Sequence, residues 1–124
     1  MAKKAGAGAR KMVLVADDEE AVCGLLADYI TSLGGKVDTA YDGKRAMEYL
    51  AGKDYDFVFL DCNMPEMTGL EVSAYLKGKK PRPKIVMMTG YGHMDKNFAK
   101  AVGVDIYLEK PIVLSRIKGI IEDA

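Results

Sequence analysis

The sequence predicts an α/β fold of the doubly wound type, in which a five-stranded parallel sheet carries helices on both faces. Short apolar runs rich in β-branched residues alternate with longer segments whose apolar residues recur at helical spacing, and this alternation occurs five times along 124 residues. Parallel strands need long crossover connections, which helices usually provide, so repeated βα units indicate one sheet covered on both faces. A chain of this length suits a single domain.

The first βα unit begins with the apolar run KMVLVA (11–16), which ends at the acidic segment DDEE (17–20). Acidic side chains interact favourably with the dipole at the start of a helix, so we expect a helix to begin here. Gly34 and Gly35 are typical of its C-terminal end. The apolar residues of this helix recur at spacings of three and four: Val22, Leu25, Leu26, Tyr29, Ile30 and Leu33.

The second and third units contain the most polar and the most apolar of the predicted strands. KVDTA (36–40) is polar enough for an edge strand, whereas DFVFLD (56–61) is expected at the centre of the sheet. Asp42 is a candidate cap for the second helix, and a third helix is predicted over 69–79. The residues predicted to face inward are Ala46, Met47 and Leu50 in the second helix, and Leu70, Ala74 and Leu76 in the third.

Glycine and proline separate the elements of the last two units. IVMMT (85–89) is an apolar strand, and a fourth helix, with Met94, Phe98, Ala101 and Val102 on its apolar face, is expected to end at Gly103. VDIYLE (104–109) alternates apolar and polar residues, as expected for a strand with one wetter face. Lys110-Pro111 interrupts the chain, and a last helix is predicted over 112–122.

Polar side chains follow several of the predicted strands at the point where each strand ends. Asp17 and Asp18 follow the first strand, Asp61 the third, Thr89 the fourth and Lys110 the fifth. The carboxyl ends of parallel strands meet at one edge of the sheet, and functional groups of doubly wound folds gather beyond that edge. We therefore expect these five side chains to lie close together.

The chemistry of this group points to a metal ion and a phosphoryl group. Crowded carboxylates repel one another, and a hard cation with oxygen ligands, Mg²⁺ above all, relieves the repulsion. Mg²⁺ commonly accompanies phosphoryl groups, whose oxygens Lys110 and Thr89 would also contact. A carboxylate such as that of Asp61 can itself be the nucleophile and form an aspartyl-phosphate.

The segments VADDEE, FLDCNMPEMTGLE, MMTGYG and YLEKPI resemble, in order and spacing, the receiver domain of bacterial two-component response regulators, including those of chemotaxis. The similarity extends over about residues 11–123. It implies a flavodoxin-like fold with strand order 2-1-3-4-5, a known arrangement of doubly wound sheets. It also implies a single receiver domain over 11–124. The basic and small residues of MAKKAGAGAR (1–10) predict a flexible tail before it.

The resemblance implies roles for particular residues of the site. Asp61 would be the phosphoacceptor, and Thr89 and Lys110 would assist it as catalytic residues. Mg²⁺ would be held by Asp18, Asp61 and the backbone carbonyl of Asn63, with Asp17 acting through water in the outer shell.

Other positions would control switching and the lifetime of the phosphorylated form. Thr89 and Tyr107 would form the switch pair, and the peptide bond before Pro111 is usually cis in the family. Asn63 and Tyr91 occupy the positions that tune hydrolysis. Because a bulky Tyr91 would obstruct water, we predict a phosphorylated form that lasts minutes or more rather than seconds.

The function that the resemblance implies is that of a signalling domain rather than a conventional enzyme. A sensor histidine kinase or a phosphotransfer protein would donate the phosphoryl group from a phosphohistidine, and the domain would catalyse only its own phosphorylation and dephosphorylation. The resulting conformational change would reach a downstream effector protein or domain, or would produce a homodimer. Both a stand-alone domain acting on a separate partner and a part of a longer protein are compatible with the sequence.

Composition argues against several other classes of protein. Eighteen basic residues balance eighteen acidic ones, so the basic footprint of a nucleic-acid-binding protein is missing. The apolar runs are too short to span a membrane and the start lacks a secretory signal, so we expect a cytoplasmic location. Cys23 and Cys62 are predicted to be free cysteines packed as small apolar residues, and His93 is too isolated for a zinc site built from Cys and His.

Three alternative functions use related folds or sites. A haloacid-dehalogenase-type phosphatase also uses an aspartate after an apolar strand, but it requires a second aspartate where this chain has Asn63. A flavodoxin-like FMN binder requires a loop rich in Ser and Thr where this chain has Asp17 and Asp18. A receiver that only binds its partner would not need an intact set of Asp61, Thr89 and Lys110.

Overall fold

The computed structural model describes residues 11–62, 64, 69–90 and 103–122. Its five strands are β1 (Met12–Ala16), β2 (Lys36–Ala40), β3 (Phe57–Asp61), β4 (Lys84–Thr89) and β5 (Ile106–Glu109). They form one parallel sheet in the order β2-β1-β3-β4-β5, which confirms the predicted fold class and strand order. As predicted, KVDTA lies at an edge and the most apolar strand, β3, lies at the centre.

The described helices are α1 (Glu20–Ser32), α2 (Gly43–Gly52), α3 (Gly69–Leu76) and the C-terminal α4 (Leu114–Glu122). The predicted cap of α2 is confirmed, since the Arg45 backbone N–H donates to Asp42 Oδ1 at 2.7 Å. Gly34 has a φ of 98°, a left-handed conformation that suits glycine just beyond the end of α1. The helix predicted to end at Gly103, and the tail over 1–10, lie outside the described residues.

The sheet divides the core into two layers because successive side chains of a strand point to opposite faces. Phe57 and Phe59 of β3 pack with residues of α1 and α4, whereas Val58 and Leu60 pack with residues of α2 and α3. All four are buried, which is why β3 is apolar at every position before Asp61. The longest described helix has 13 residues, too few to cross a bilayer.

One apolar residue of α1 lies outside the core, and one prediction about a helix face is wrong. Leu25 is 51% exposed, because α1 contacts the sheet through Cys23, Leu26 and Ile30, and the stripe that they form leaves Leu25 at its side. Ala74 is exposed, whereas Val72 and Leu76, one helical turn apart, face the core. Helix α3 is also shorter than predicted, since it ends at Leu76. Both cysteines are free, and Cys23 is buried whereas Cys62 is half-buried.

A small polar network joins the edge strand β2 to the segment that follows α2. Asp38 Oδ2 accepts hydrogen bonds from Lys53 Nζ and from the Tyr55 hydroxyl, each at 2.7 Å. Burial by itself would raise the pKa of Asp38, but these hydrogen bonds and the charge of Lys53 outweigh it and lower the pKa. Burial and the hydrogen bond to Asp38 raise the pKa of Tyr55, so its hydroxyl stays protonated.

The Tyr55→Phe variant is expected to lose about 1.5 kcal/mol of unfolding free energy at neutral pH, since a hydrogen bond to a charged acceptor is removed. The folded-state pKa of Asp38 lies below its unfolded value, so the contribution is complete above the unfolded pKa and disappears as the pH falls through the folded one. The difference from wild type is therefore expected to shrink below about pH 4. Urea unfolding of the variant and the wild type, at neutral pH and below about pH 4, measures this difference in stability. Tyr75→Phe, at an exposed tyrosine, is the control. An equal difference at the two pH values would contradict the expectation.

Candidate functional site

The carboxyl edge of the sheet holds the polar residues that the sequence singled out. Asp61 is the last residue of β3 and Thr89 the last of β4, whereas Asp17 and Lys110 directly follow β1 and β5. Backbone hydrogen bonds extend the sheet at two of these points. Asp17 donates its N–H to Ala40 O at 3.0 Å, and Lys110 donates to Thr89 O at 2.7 Å. The sheet itself therefore fixes where these side chains begin.

Three carboxylates meet at this edge. Asp17, Asp18 and Asp61 each offer an oxygen, and the three oxygens lie within 4.8 Å of one another. Asp17 is fully buried, Asp61 is 6% exposed and Asp18 is exposed. Such proximity of like charges is unfavourable unless a cation offsets it.

Lys110 provides a positive charge to this cluster. Its Nζ lies 2.7 Å from Asp17 Oδ2, 2.9 Å from Glu19 Oε1 and 3.7 Å from Asp61 Oδ1. Burial by itself would lower the pKa of Lys110, but the contacts with Asp17 and Glu19 and the charge of Asp61 outweigh it and raise the pKa. The ammonium group therefore stays charged at physiological pH.

Glu19 is a residue of the site that the sequence pattern did not indicate. The acids at 17–20 were expected only to interact favourably with the dipole at the start of a helix. In the structure Glu19 is the N-cap of α1, yet its side chain accepts no capping hydrogen bond and pairs with Lys110 instead. The run of four consecutive acidic residues could have indicated a further role for Glu19, because fewer acidic residues are enough to interact with the dipole at the start of a helix.

The residues at this edge fit a divalent cation such as Mg²⁺. Asp17 Oδ2 is buried and accepts no hydrogen bond within the described part of the chain, although it forms an ion pair with Lys110. The donors of Asp17, Asp18 and Asp61 are oxygens alone, which Mg²⁺ prefers. A buried carboxylate oxygen without a hydrogen bond, beside two further carboxylates, is an arrangement that a bound cation would stabilise.

The remaining predicted residues divide between described and undescribed parts of the chain. Thr89 is buried at the end of β4, and Tyr107 on β5 is half-buried against the core layer beneath α2 and α3. The Lys110–Pro111 peptide bond is cis, as the resemblance implied. Asn63 and Tyr91 lie outside the described residues, as does His93.

A cavity of about 430 Å³ lies beside the acidic cluster, between α1 and the turn after β5. Glu19 and Lys110 line it together with Leu25, Gly90 and Pro111. The exposed Leu25 thus forms part of its wall. The cavity therefore borders the Lys110–Glu19 ion pair at the edge of the acidic cluster.

The strand order defines a flavodoxin-like α/β domain, and its carboxyl edge carries a cluster of carboxylates that fits a metal ion. Comparison with known protein families identifies it more narrowly. The family model of the response regulator receiver domain matches residues 13–122, and the chain belongs to this family. It is a receiver domain of two-component response regulators, which is a signalling domain.

Individual relatives agree with this assignment. The chain is 37% identical over 106 residues to the transcriptional regulatory protein TcrA of Mycobacterium tuberculosis, and the match covers 85% of this chain and 42% of TcrA. It is 34% identical over 113 residues to the aerobic respiration control sensor protein ArcB of Escherichia coli, covering 89% of this chain and 14% of ArcB. The chain thus spans less than half the length of these relatives.

A solved structure shows the same architecture. The response regulator TrrA of Thermotoga maritima superposes with a TM-score of 0.81 at 32% identity, covering 91% of this chain and 97% of that one. TrrA was solved in complex with Mg²⁺ and BeF.

Proposed function

We propose that this receiver domain accepts a phosphoryl group on Asp61 from a phosphohistidine of a sensor histidine kinase or phosphotransfer protein, and that it relays the signal by a change of conformation. One observation carries the proposal. Asp61 ends the central strand, is almost buried, and faces Asp17, Asp18 and the Lys110 ammonium group within a few ångströms. A single carboxylate so placed can act as a nucleophile while its surroundings receive the anionic product.

The metal that supports this chemistry is proposed to be Mg²⁺. Asp18 and Asp61 would hold it with the backbone carbonyl of Asn63, which lies outside the described residues, and Asp17 would act through water. Bound Mg²⁺ would supply positive charge that offsets the negative charge of the phosphoryl oxygens near the carboxylates. The presence of Mg²⁺ and BeF in TrrA supports this part of the proposal.

Different residues of the chain have different roles in phosphoryl transfer. An Asp61 carboxylate oxygen forms a bond to phosphorus while the phosphorus–nitrogen bond of the donor breaks, and the electron pair stays on the imidazole nitrogen, which takes up a proton. Lys110 and the Thr89 hydroxyl contact the oxygens of the transferred group. Dephosphorylation follows when water attacks phosphorus and the bond to Asp61 breaks, at a rate that Asn63 and Tyr91 would tune.

The output of the domain depends on Thr89 and Tyr107 as a switch pair. Thr89 would move toward the phosphoryl group, and Tyr107, now half-buried on β5, would turn further inward. Such a change shifts a population between two existing states. The surface formed by β5 and α4 would present an altered shape to an effector or to a second copy of the domain; the helix predicted before Gly103, which we expected to share this surface, lies outside the described residues. The cytoplasmic location stays a prediction.

Incubation with acetyl phosphate tests the proposal directly. The small donor loses acetate as the new bond to Asp61 forms, so intact mass spectrometry is expected to detect one phosphate adduct that requires Mg²⁺ and maps to Asp61. EDTA is expected to prevent the adduct, and the Asp28→Asn variant, altered at an exposed site on α1, is expected to form it normally. An adduct on another residue, or none with Mg²⁺ present, would overturn the proposal.

A further inference from the structure

We propose that Glu19 restrains Lys110 in the unphosphorylated domain and so slows phosphoryl acceptance, and that Lys110 must leave Glu19 when Asp61 becomes phosphorylated. The inference rests on the proposed function of Asp61. Glu19 acts on Asp61 through Lys110, so it is a positioning residue.

The distances around Lys110 provide the first argument. Its Nζ forms a hydrogen bond with Glu19 Oε1 at 2.9 Å and an ion pair with Asp17 at 2.7 Å, whereas Asp61 Oδ1 lies at 3.7 Å, beyond hydrogen-bond length. An ammonium group has three N–H donors, and two acidic partners already attract it. The donor count would allow a third partner, but Nζ lies too far from Asp61 for a hydrogen bond, so a close contact with a phosphoryl group there requires Nζ to shift from its present position beside Asp17 and Glu19.

The orientation of Glu19 provides the second argument. Its backbone N–H donates to Asp17 Oδ1 at 2.9 Å, which ties the start of α1 to the acidic cluster. Its side chain does not cap the helix, although it occupies the N-cap position, and reaches the Lys110 ammonium instead. The carboxylate of Glu19 therefore has a contact that the helix does not require.

Exposure indicates which of the two contacts breaks. The Glu19 side chain is 62% exposed, whereas that of Asp17 is fully buried. Water can solvate the Glu19 carboxylate after separation, but a buried carboxylate without its cation is costly. Lys110 therefore exchanges Glu19 for the phosphoryl group and keeps its contact with Asp17.

The Glu19→Gln variant tests this exchange. Because an exposed ion pair stabilises only weakly, its removal is expected to accelerate phosphoryl acceptance from acetyl phosphate by about two- to fivefold. Beryllofluoride, an anionic mimic of the phosphoryl group, is expected to bind more tightly by a similar factor in the presence of saturating Mg²⁺. Mg²⁺ itself is expected to bind equally well or more weakly, because a negative charge has been removed. Structural damage caused by the substitution would instead weaken the binding of beryllofluoride as well as that of Mg²⁺.

Two further variants separate the contact from the general effect of charge. Glu20→Gln removes the same charge from the next residue, which is exposed and has no ion pair within the described part of the chain, and is expected to change acceptance much less. In a Lys110→Gln background, Glu19→Gln is expected to have no effect on beryllofluoride affinity, since the two residues act through one contact.

The outcomes also distinguish this inference from the proposed function. If the wild type forms no adduct and binds no beryllofluoride, the proposed function fails. If the wild type does both but Glu19→Gln matches Glu20→Gln, or slows acceptance, the restraint by Glu19 is refuted. An undiminished effect of Glu19→Gln in the Lys110→Gln background would refute the route through Lys110.

Discussion

The Asp61→Asn variant is expected to accept no phosphoryl group and to be more stable than the wild type when no metal is bound. An amide lacks the charged oxygen that attacks phosphorus, so the adduct is lost. The substitution also removes one of three carboxylates that lie within 4.8 Å of one another. Lys110 keeps its shorter contacts with Asp17 and Glu19 at 2.7 and 2.9 Å, so little attraction is lost. A gain of about 1 kcal/mol in unfolding free energy is expected.

Two measurements check this prediction. Intact mass after treatment with acetyl phosphate and Mg²⁺ reports the adduct, and urea unfolding in EDTA reports stability. Added Mg²⁺ is expected to stabilise the wild type more than the variant, because at a given concentration a ligand stabilises the folded state more when it binds that state more tightly. The Asp28→Asn variant makes the same chemical change on the exposed face of α1 and is expected to match wild type in both assays. A phosphate adduct on the Asp61→Asn protein, or a lower stability of this variant than of the wild type in EDTA, would contradict the prediction.

The Phe59→Ala variant is expected to lose about 3–5 kcal/mol of unfolding free energy. Phe59 is fully buried in the central strand, where it packs between the sheet and the helices α1 and α4. Removal of its ring leaves a cavity that neighbours such as Leu26 and Ile117 on both helices cannot fill without moving. The loss is a large part of the 5–15 kcal/mol that typically stabilises a domain.

Chemical denaturation measures the effect, with two variants for comparison. Phe59→Leu keeps most of the apolar volume and is expected to cost under about 1.5 kcal/mol. Leu25→Ala removes an apolar side chain that is 51% exposed and is expected to change stability by about 0.5 kcal/mol or less. If Phe59→Ala cost no more than Leu25→Ala, the two-layer core described for this fold would be wrong.

Much of the architecture could be predicted because it follows from local patterns. The central place of β3 follows from its four consecutive apolar residues before Asp61, and the edge position of β2 from its polar residues. The convergence of Asp17, Asp61 and Lys110 follows from the rule that parallel strands end at one edge. None of these predictions requires a distance.

The sequence pattern was insufficient where the result depended on how a helix is rotated against the sheet. Leu25 and Leu26 are both apolar and adjacent, and only the contact of α1 with the sheet shows that Leu26 is inside and Leu25 outside. The same applies to Ala74 and Val72 on α3. Periodicity indicates that a helix has an apolar stripe, but the width and centre of the buried part depend on its neighbours.

The sequence alone determined the class of fold, the order of its elements and the residues gathered at the carboxyl edge, because hydrophobic period and strand ends are properties of short segments. Only the tertiary structure decided how the charges pair there. Glu19 and Lys110 are 91 positions apart, and their contact depends on the register of β5 and the first turn of α1 together. Electrostatic interaction falls with distance through space, so sequence spacing cannot show which of several acids holds a given lysine.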